Sequence, residues 1–388
     1  MSNLYSTRKH LCQYGNIDEK RTVVCLSREG KTVVLVEADV LVEREGGNQK
    51  NMTVVLVPTN GNRPTTLELG KADIKTAYSF LDPKYAIVQE GETGPTGVII
   101  CTSMCLHVYD LGSDVHRVLG WNEEKYGRMN FGYLPCQQEV ICREPGDDSL
   151  VKKNIQSGRE STLVLRDGVG TVTPRMAHGF SICDVIVCEG DDIAVVHKGH
   201  HNFTVISWYK FEGPNGPNPS YLMKRQWQGS YCSVVYSSVL NALVAVVVEE
   251  KTVPVTGGVI RLYKPLLLMT EDYLFYIDES PMLGLQRDRH RVAAGSYPTI
   301  IGATANPYGG PAKLYTSVVD IEGAHMIHVY TLFGTTAQFR MDGNLVLPRG
   351  IRRIKGGGII TEGDGQSMIL AHEEDGGQQT RLTKIVLD

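Results

Sequence analysis

A chain of 388 residues, 42% hydrophobic and 21% charged, has the composition of a globular protein with a large buried core. Its net charge of −4 comes from 39 basic and 43 acidic residues with no long run of either sign, which argues against binding to nucleic acid or a membrane. The N-terminus has no apolar signal core and no stretch of 18 apolar residues occurs, so we expect a soluble, cytoplasmic protein.

The predicted elements are short β-strands from one end of the chain to the other. Runs rich in β-branched and aromatic residues, bounded by Gly, Pro, Asn or Asp, favour strands. In chain order they include "RTVVCLS", "KTVVLVEADVLVE", "GVIICTS", "STLVLRD", "DIAVVHKG", "LVAVVVEE", "MIHVYTLFG" and "LTKIVLD". The 41 glycines and 17 prolines supply the turns, and no run sustains the helical spacing of apolar residues. The sequence predicts an all-β protein.

The nine cysteines are odd in number and include no Cys-x-x-Cys pair. Most lie in apolar runs such as "EVIC" and "DVIVC". This pattern is typical of reduced cysteines that act as small buried hydrophobic residues, and it argues against a disulfide framework.

A short phrase recurs about every 50 residues: Arg or Lys, a small residue four positions later, then an aromatic residue or Ser. It begins at Arg128, Arg175, Arg225 and Arg291, with weaker versions at Lys75 and at Arg352, where Gly356 is not followed by an aromatic residue or Ser. A second landmark alternates with it, namely strands that end near Tyr109, Tyr209, Tyr263 and Tyr330, with strands near Val57, Leu165 and Val386 in the gaps. A unit of this size cannot bury its own apolar faces, so such units must stack. We predict a β-propeller in which the phrase precedes each innermost strand and the Tyr-bearing strand is the third.

The predicted propeller is one domain, residues 1–388, with seven four-stranded blades. The blades are expected at roughly 20–70, 71–122, 123–170, 171–224, 225–277, 278–345 and 346–388. The run "TRLTKIVLD" reaches the C-terminus without a fourth strand after it. We expect residues 1–19, through "LYSTRKHL", to supply that strand and close the ring.

The pattern resembles the kelch and galactose-oxidase class of propellers. Kelch units open with an Arg-His-like phrase, as in "PRMAHGF", and their third-strand Tyr is followed by a Trp, as from Tyr109 to Trp121 and from Tyr209 to Trp227. The double glycine of kelch units is mostly absent, so WD-type propellers remain an alternative. Copper-radical oxidases of this class take ligands partly from a later domain, for which this chain has no residues. The resemblance therefore implies no cofactor and favours a protein that is not an enzyme.

The recurring arginines are the first candidate site: Arg128, Arg175, Arg225, Arg291 and Arg352. If the loop before each innermost strand lies at one mouth of the channel, their guanidinium groups converge there. Such a ring could bind a carboxylate, a phosphate or an acidic peptide. Alternatively, each Arg pairs with a neighbouring blade and holds the ring together, which is the interpretation we favour.

The run "VVHKGHHNFTV" contains His197, His200 and His201. Across a tight turn at Lys198-Gly199, two of these side chains could share a metal ion. No carboxylate or Cys accompanies them, so a solvated turn without metal is the favoured interpretation.

The long irregular segments 278–298 and 302–313 are the second candidate site. Met282 and Leu283 lie close in sequence to Arg287 and Arg289, and an apolar knob beside basic residues suits a surface that binds a protein partner. The alternative is a loop that folds against its own blade.

The leading hypothesis is a non-catalytic scaffold that binds a protein through this region. The second is an enzyme or a binder of small anions that acts through the arginines. The third is a carbohydrate-binding propeller in which Trp121, Trp208 and Trp227 stack on sugar rings.

Overall fold

The computed structural model of the chain is built from β-strands, and the residues that it describes include no helix. Besides the strands named below, the described residues are 137–138, 155–159, 164–165, 188, 192, 211, 219, 239–240, 298, 305–306, 309–312, 320, 322–324, 346–347 and 350. Within this part of the chain, no helix has the length and apolar character needed to cross a bilayer. The prediction of an all-β protein is confirmed.

The described strands form seven antiparallel sheets. β1 (Arg8–Asn16) belongs to the last of them. Sheet I contains β2 (Val23–Leu26), β3 (Thr32–Ala38), β4 (Val42–Arg44), β5 (Gly47–Pro58) and β6 (Thr65–Asp73). Sheet II contains β7 (Lys84–Gly91), β8 (Gly94–Cys101), β9 (Cys105–Asp110) and β10 (Val115–Gly120). Sheet III contains β11 (Phe131–Leu134), β12 (Glu139–Arg143), β13 (Leu150–Asn154) and β14 (Glu160–Leu163).

The remaining sheets follow the same plan. Sheet IV contains β15 (Ser181–Val187), β16 (Ile193–Lys198), β17 (Phe203–Lys210) and β18 (Ser220–Gln228). Sheet V contains β19 (Ser230–Ser237), β20 (Ala242–Thr252), β21 (Val259–Met269) and β22 (His290–Arg291). Sheet VI contains β23 (Thr299–Thr304), β24 (Lys313–Val319), β25 (His325–Phe333) and β26 (Gln338–Leu345). Sheet VII contains β27 (Ile351–Glu362), β28 (Gly365–Glu374) and β29 (Gln379–Leu387), with β1 paired to β29.

The first strand of each sheet contacts the first strand of the next. These contacts run from β2 through β7, β11, β15, β19 and β23 to β27, and β27 in turn contacts β2. In sheets II to VII the other strands follow the first strand in chain order, with β1 after β29 in sheet VII, whereas in sheet I both β4 and β6 pair with β5. Shared apolar clusters show that sheets III to VII pack face against face in succession.

Among the described side chains of sheets III to VII, the apolar core is divided among the interfaces between neighbouring sheets. Along β16, Ile193 and Val195 pack into a cluster with sheet III, while Ala194 and Val196 pack into a cluster with sheet V. Successive side chains of a strand point to opposite faces, so both faces of sheet IV are buried. This explains why central strands such as "IAVV" are apolar at every position, where a strand with one solvated face would alternate.

The recurring sequence landmarks coincide with defined strands. Gly132 of the phrase lies in β11, and Gly229 directly precedes β19. Tyr109, Tyr209, Tyr263 and Tyr330 lie in the third strands β9, β17, β21 and β25. Leu165 differs from expectation, because it follows β14, the fourth strand of sheet III. The third strand of that sheet is β13. Its two lysines make it look polar in the sequence, although the strand is buried.

Sheets VI and VII approach closely at a glycine. Gly302 lies at a register shift in β23 with a φ of +157°. A Cβ atom at this position would lie 2.7 Å from Cγ1 and 3.2 Å from Cβ of Ile359 in β27. Only glycine fits here without displacing the neighbouring sheet.

Candidate functional site

Each antiparallel sheet has two ends. We call the end where first strands begin, and where second strands end, the upper rim. The end where first strands finish and second strands begin is the lower rim. The apolar cluster between sheets V and VI contains Val235 and Leu240 near the β19–β20 turn, together with Ala303 and Leu332 near the matching ends of β23 and β25. The two sheets therefore present their lower rims on the same side.

The lower rim of sheets V and VI has exposed apolar and polar groups. Val239 in the β19–β20 turn is 44% exposed. In the β23–β24 connection, Ala305, Asn306 and Pro311 are exposed. We refer to residues 239–240, 269, 305–306 and 309–312 as the V–VI rim.

The described part of the β23–β24 connection is held by backbone hydrogen bonds. The Gly309 amide donates to the Asn306 carbonyl at 3.1 Å, and the Leu332 amide donates to the Ala312 carbonyl at 2.9 Å. The second bond joins the connection to β25, the third strand of the same sheet. This bond holds the exposed residues of the connection in place.

The predicted partner-binding residues Met282, Leu283, Arg287 and Arg289 lie outside the described residues. The chain segment that contains them begins after Met269, the last residue of β21. Met269 pairs with Ala242 at the start of β20, so β21 ends at the V–VI rim. The sequence did not reveal on which rim β21 ends, because that depends on strand order.

The recurring arginines occupy different positions in their sheets. Arg128 and Arg175 lie outside the described residues. Arg225 and Arg291 lie in β18 and β22, which are fourth strands and pair at the edge opposite the first strand. We expected these two arginines in loops that precede an innermost strand. The structure corrects this, because both lie in outermost strands. Arg352 lies in the first strand β27 and is exposed.

His197 is buried in β16, with 6% of its surface exposed. The prediction that His197 lies in a solvated turn is wrong, because this residue pairs with Val205 of β17 inside the sheet. His200 and His201 lie outside the described residues. Over the described ranges, no three or more His, Cys, Asp or Glu residues are grouped as a metal site would require.

Of the three tryptophans, only the side chain of Trp208 is among those that the structure describes. Trp208 is only 2% exposed and packs between sheets IV and V, which corrects its expected role as a sugar-stacking surface. Trp227 lies in the fourth strand β18, and Trp121 lies outside the described residues.

Cys188 is buried and unpaired with any other cysteine, as the sequence predicts. Burial, followed by the negative charge of Asp192, raises the pKa of its thiol to about 12. Because the thiolate is the reactive form, this side chain is unsuited to nucleophilic or metal chemistry.

Sequence reasoning missed a buried lysine between sheets III and IV. Lys152 Nζ donates to Gln137 Oε1 at 3.0 Å and lies 2.7 Å from Glu139 Oε2, a contact with the distance of an ion pair but not the angle of a hydrogen bond. The ammonium also lies 5.4 Å from the ring centroid of Phe211, which directly follows β17 of the adjacent sheet. An anionic and an aromatic partner compensate its burial, so we assign Lys152 a structural role.

Sequence reasoning also missed His325, at the upper rim between sheets VI and VII. Asp320 Oδ1 accepts hydrogen bonds from the amides of Glu322 at 2.9 Å and Ala324 at 2.8 Å, which shapes the turn before β25. The turn presents the His325 ring to sheet VII, where Nδ1 accepts a hydrogen bond from the Ile354 amide at 3.2 Å. An Asp followed by Gly in the run "DIEGAH" is a signal for the turn, although not for this contact.

No protein-family model matches the chain, and no curated protein matches it well enough to count as a relative. Solved structures are similar in fold. The WD40 domain of Neurospora crassa Pan2 shares 10% identity over 99% of this chain and 97% of its own, with a TM-score of 0.51. The β-propeller domain of Myceliophteria thermophila Cps50 (Swd1) shares 9% identity over 97% of this chain and 99% of its own, with a TM-score of 0.54. The protein is a β-propeller.

A chain in a crystal structure of a mitotic checkpoint complex is also similar to this propeller, with 10% identity over 100% of this chain and 94% of its own and a TM-score of 0.51. Identities this low are evidence for fold alone. They support the β-propeller class but not the kelch and galactose-oxidase type in particular.

Proposed function

We propose that this propeller is a scaffold that binds a protein partner at the V–VI rim. In this proposal the seven sheets are seven blades around one axis, and the pairing of β1 with β29 closes the ring. The protein performs no chemistry of its own, and its function is to hold a partner on a rigid surface.

One observation supports the proposal: β21 ends, and the β23–β24 connection begins, on the same rim of two neighbouring sheets. Met269 is the last residue of β21 and pairs with Ala242 at the start of β20, and β23 ends at Thr304. These two sheets share an apolar cluster that includes Val244, Val246, Leu314 and Tyr330, each fully buried. A surface carried on rigidly packed sheets has a lower ordering cost on binding than a flexible one.

The chemistry of the segment after Met269 indicates the kind of partner. Met282 and Leu283 supply apolar groups of the kind that anchor interfaces, and Arg287 and Arg289 supply positive charge. A partner with an apolar pocket bordered by carboxylates would complement both features, and the charges would speed association at low salt.

The test is co-purification from the native source with a pair of matched variants. Met282→Asp with Leu283→Asp introduces charge into the proposed surface. Ala324→Asp introduces charge at an exposed turn on the upper rim, away from it. We expect the first variant to lose partners at least about tenfold while the control retains them, because an anchor residue contributes about 2 kcal/mol or more. Equal recovery with both variants, at unchanged melting temperature, would contradict the proposal.

A second candidate function is binding of a small anion near Arg352. The supporting observation is that Arg352 is exposed at a register shift of the first strand β27, next to Arg353. Phosphate or citrate should then raise the melting temperature of the native protein and not that of Arg352→Ala. Equal responses from both would exclude Arg352 as a ligand-binding residue.

A further inference from the structure

The contact between His325 and Ile354 joins two sheets at the upper rim. β27 is the edge strand of sheet VII, so some of its amides have no neighbouring strand to bond. Ile354 lies between two register shifts in the pairing of β27 with β28. Its amide is satisfied from outside the sheet, by the imidazole Nδ1 of His325 at 3.2 Å.

Ile354 also anchors the apolar core of the same interface. Its side chain is 8% exposed and packs with Ile301 and Tyr315 of sheet VI and with Leu370 of sheet VII. The hydrogen bond and the apolar contacts therefore hold the same residue, one through its backbone and the other through its side chain.

Three charged groups act on the imidazole, and the neighbouring strand β24 presents Val319 opposite His325. Arg353 approaches from β27, Glu373 from β28, and Asp320 from the turn before β25. Arg353 and Glu373 are themselves paired across the ladder. Burial and then the charge of Arg353 lower the pKa of His325, and Glu373 and Asp320 oppose them with the smaller effect.

We propose that His325 is a pH-sensitive latch between sheets VI and VII. When the imidazole is neutral, with its proton on Nε2, the Nδ1 lone pair accepts the Ile354 amide and the latch is closed. When Nδ1 takes up a proton from water, the lone pair is no longer available. The Ile354 amide must then bond to water, and the imidazolium is repelled by Arg353. The latch opens, and the start of β27, including Arg352, separates from sheet VI.

The direction of the pH dependence follows from the lowered pKa. Protonation is harder in the closed latch than in an unconstrained histidine, whose pKa is 6.5. The latch therefore contributes fully above pH 6.5, and its contribution is lost as the pH falls through the lowered pKa. Acidic conditions weaken this interface, while neutral conditions keep it closed.

The test is hydrogen exchange of the full chain, followed in peptides from β27 and corrected for the pH dependence of intrinsic exchange. Between about pH 7.5 and about pH 5 we expect the protection of β27 to fall in the native protein. His325→Asn keeps an acceptor near this position without a titratable ring, so its protection should not change with pH. The same pH dependence in both proteins would overturn the proposal.

Two further variants distinguish a latch from a merely structural histidine. Arg353→Gln removes the repelling charge, and the pH at which half of the β27 protection is lost should become higher. Glu373→Gln removes an attracting charge and should make this pH lower. Opposite shifts support the latch even if His325→Asn fails to fold. Shifts of the same sign, or none, would refute it.

Discussion

Lys152 and Lys153 show how charged residues enter a propeller interface. Both lie in the third strand of sheet III and are at most 6% exposed. Neighbouring strand positions point to opposite faces, so each lysine needs its own partner. Lys152 pairs with Glu139, and Lys153 pairs with Glu160 at 2.9 Å. Their long apolar stems are buried, while their charged ends reach carboxylates. A buried strand that contains such lysines therefore looks polar in the sequence.

The Lys152 pair gives a prediction that separates charge from packing. Lys152→Met keeps the stem but leaves the Glu139 carboxylate without its cation, and it should lower the free energy of unfolding by about 3 kcal/mol. Lys152→Met combined with Glu139→Gln removes both charges and should recover most of that loss. Urea denaturation measures both. Equal losses in the single and double variants would show that the charge pair is not what stabilises this interface.

At the scale of elements, the sequence predicts strands well where residue type and burial agree. Tyr109, Tyr209, Tyr263 and Tyr330 identify third strands because an aromatic residue suits a strand packed on both faces. The arginine phrase is less informative. It occurs in the fourth strand at Arg225 and in the first strand at Arg352, since the phrase marks the passage between sheets and not a fixed position in one strand.

The close approach of sheets VI and VII gives a second prediction, with a control inside the same sheet. Gly302 and Gly343 have φ values of +157° and +156°, but only Gly302 has a neighbour where a Cβ would lie. Alanine strains the backbone similarly at both positions, and at Gly302 it also collides with Ile359. Gly302→Ala should therefore be less stable than Gly343→Ala by about 2 kcal/mol, as measured by thermal or urea unfolding.

Replacement of the crowding side chain tests the cause. Ile359→Ala combined with Gly302→Ala should lose less than the sum of the two single changes, because the collision is absent from the double variant. Strict additivity would mean that another effect destabilises Gly302→Ala.

For the whole molecule, the sequence predicts the class of fold because a propeller repeats its signals. A weak strand or turn pattern becomes informative when it recurs about every 50 residues. The candidate site has no such repetition. That β21 ends on the same rim as the β23–β24 connection follows from strand order, and the contact of His325 with Ile354 joins residues from different sheets. Neither could be derived from local pattern.

The pairing of β1 with β29 gives a third prediction. Removal of residues 1–16 takes away the strand that covers the outer edge of β29, and should lower the free energy of unfolding by on the order of 5 kcal/mol through lost hydrogen bonds and packing. Removal of residues 1–7, which precede β1, is the control, because it leaves the pairing of β1 with β29 in place, and its effect should be smaller. A peptide with the sequence of residues 8–16, added to the truncated protein, should restore stability. An unchanged unfolding midpoint after the longer truncation would contradict this role of β1.

The same pairing sets Arg8 opposite Ile385, so the start and finish of the described chain are neighbours. A short linker could join them in a circularly permuted protein. The new termini could lie at the exposed residues Gln156 and Ser157, in the turn between β13 and β14. Synthesis would then begin in the middle of sheet III, yet every ladder could still form. The fold would then form although the strands are synthesised in a different order.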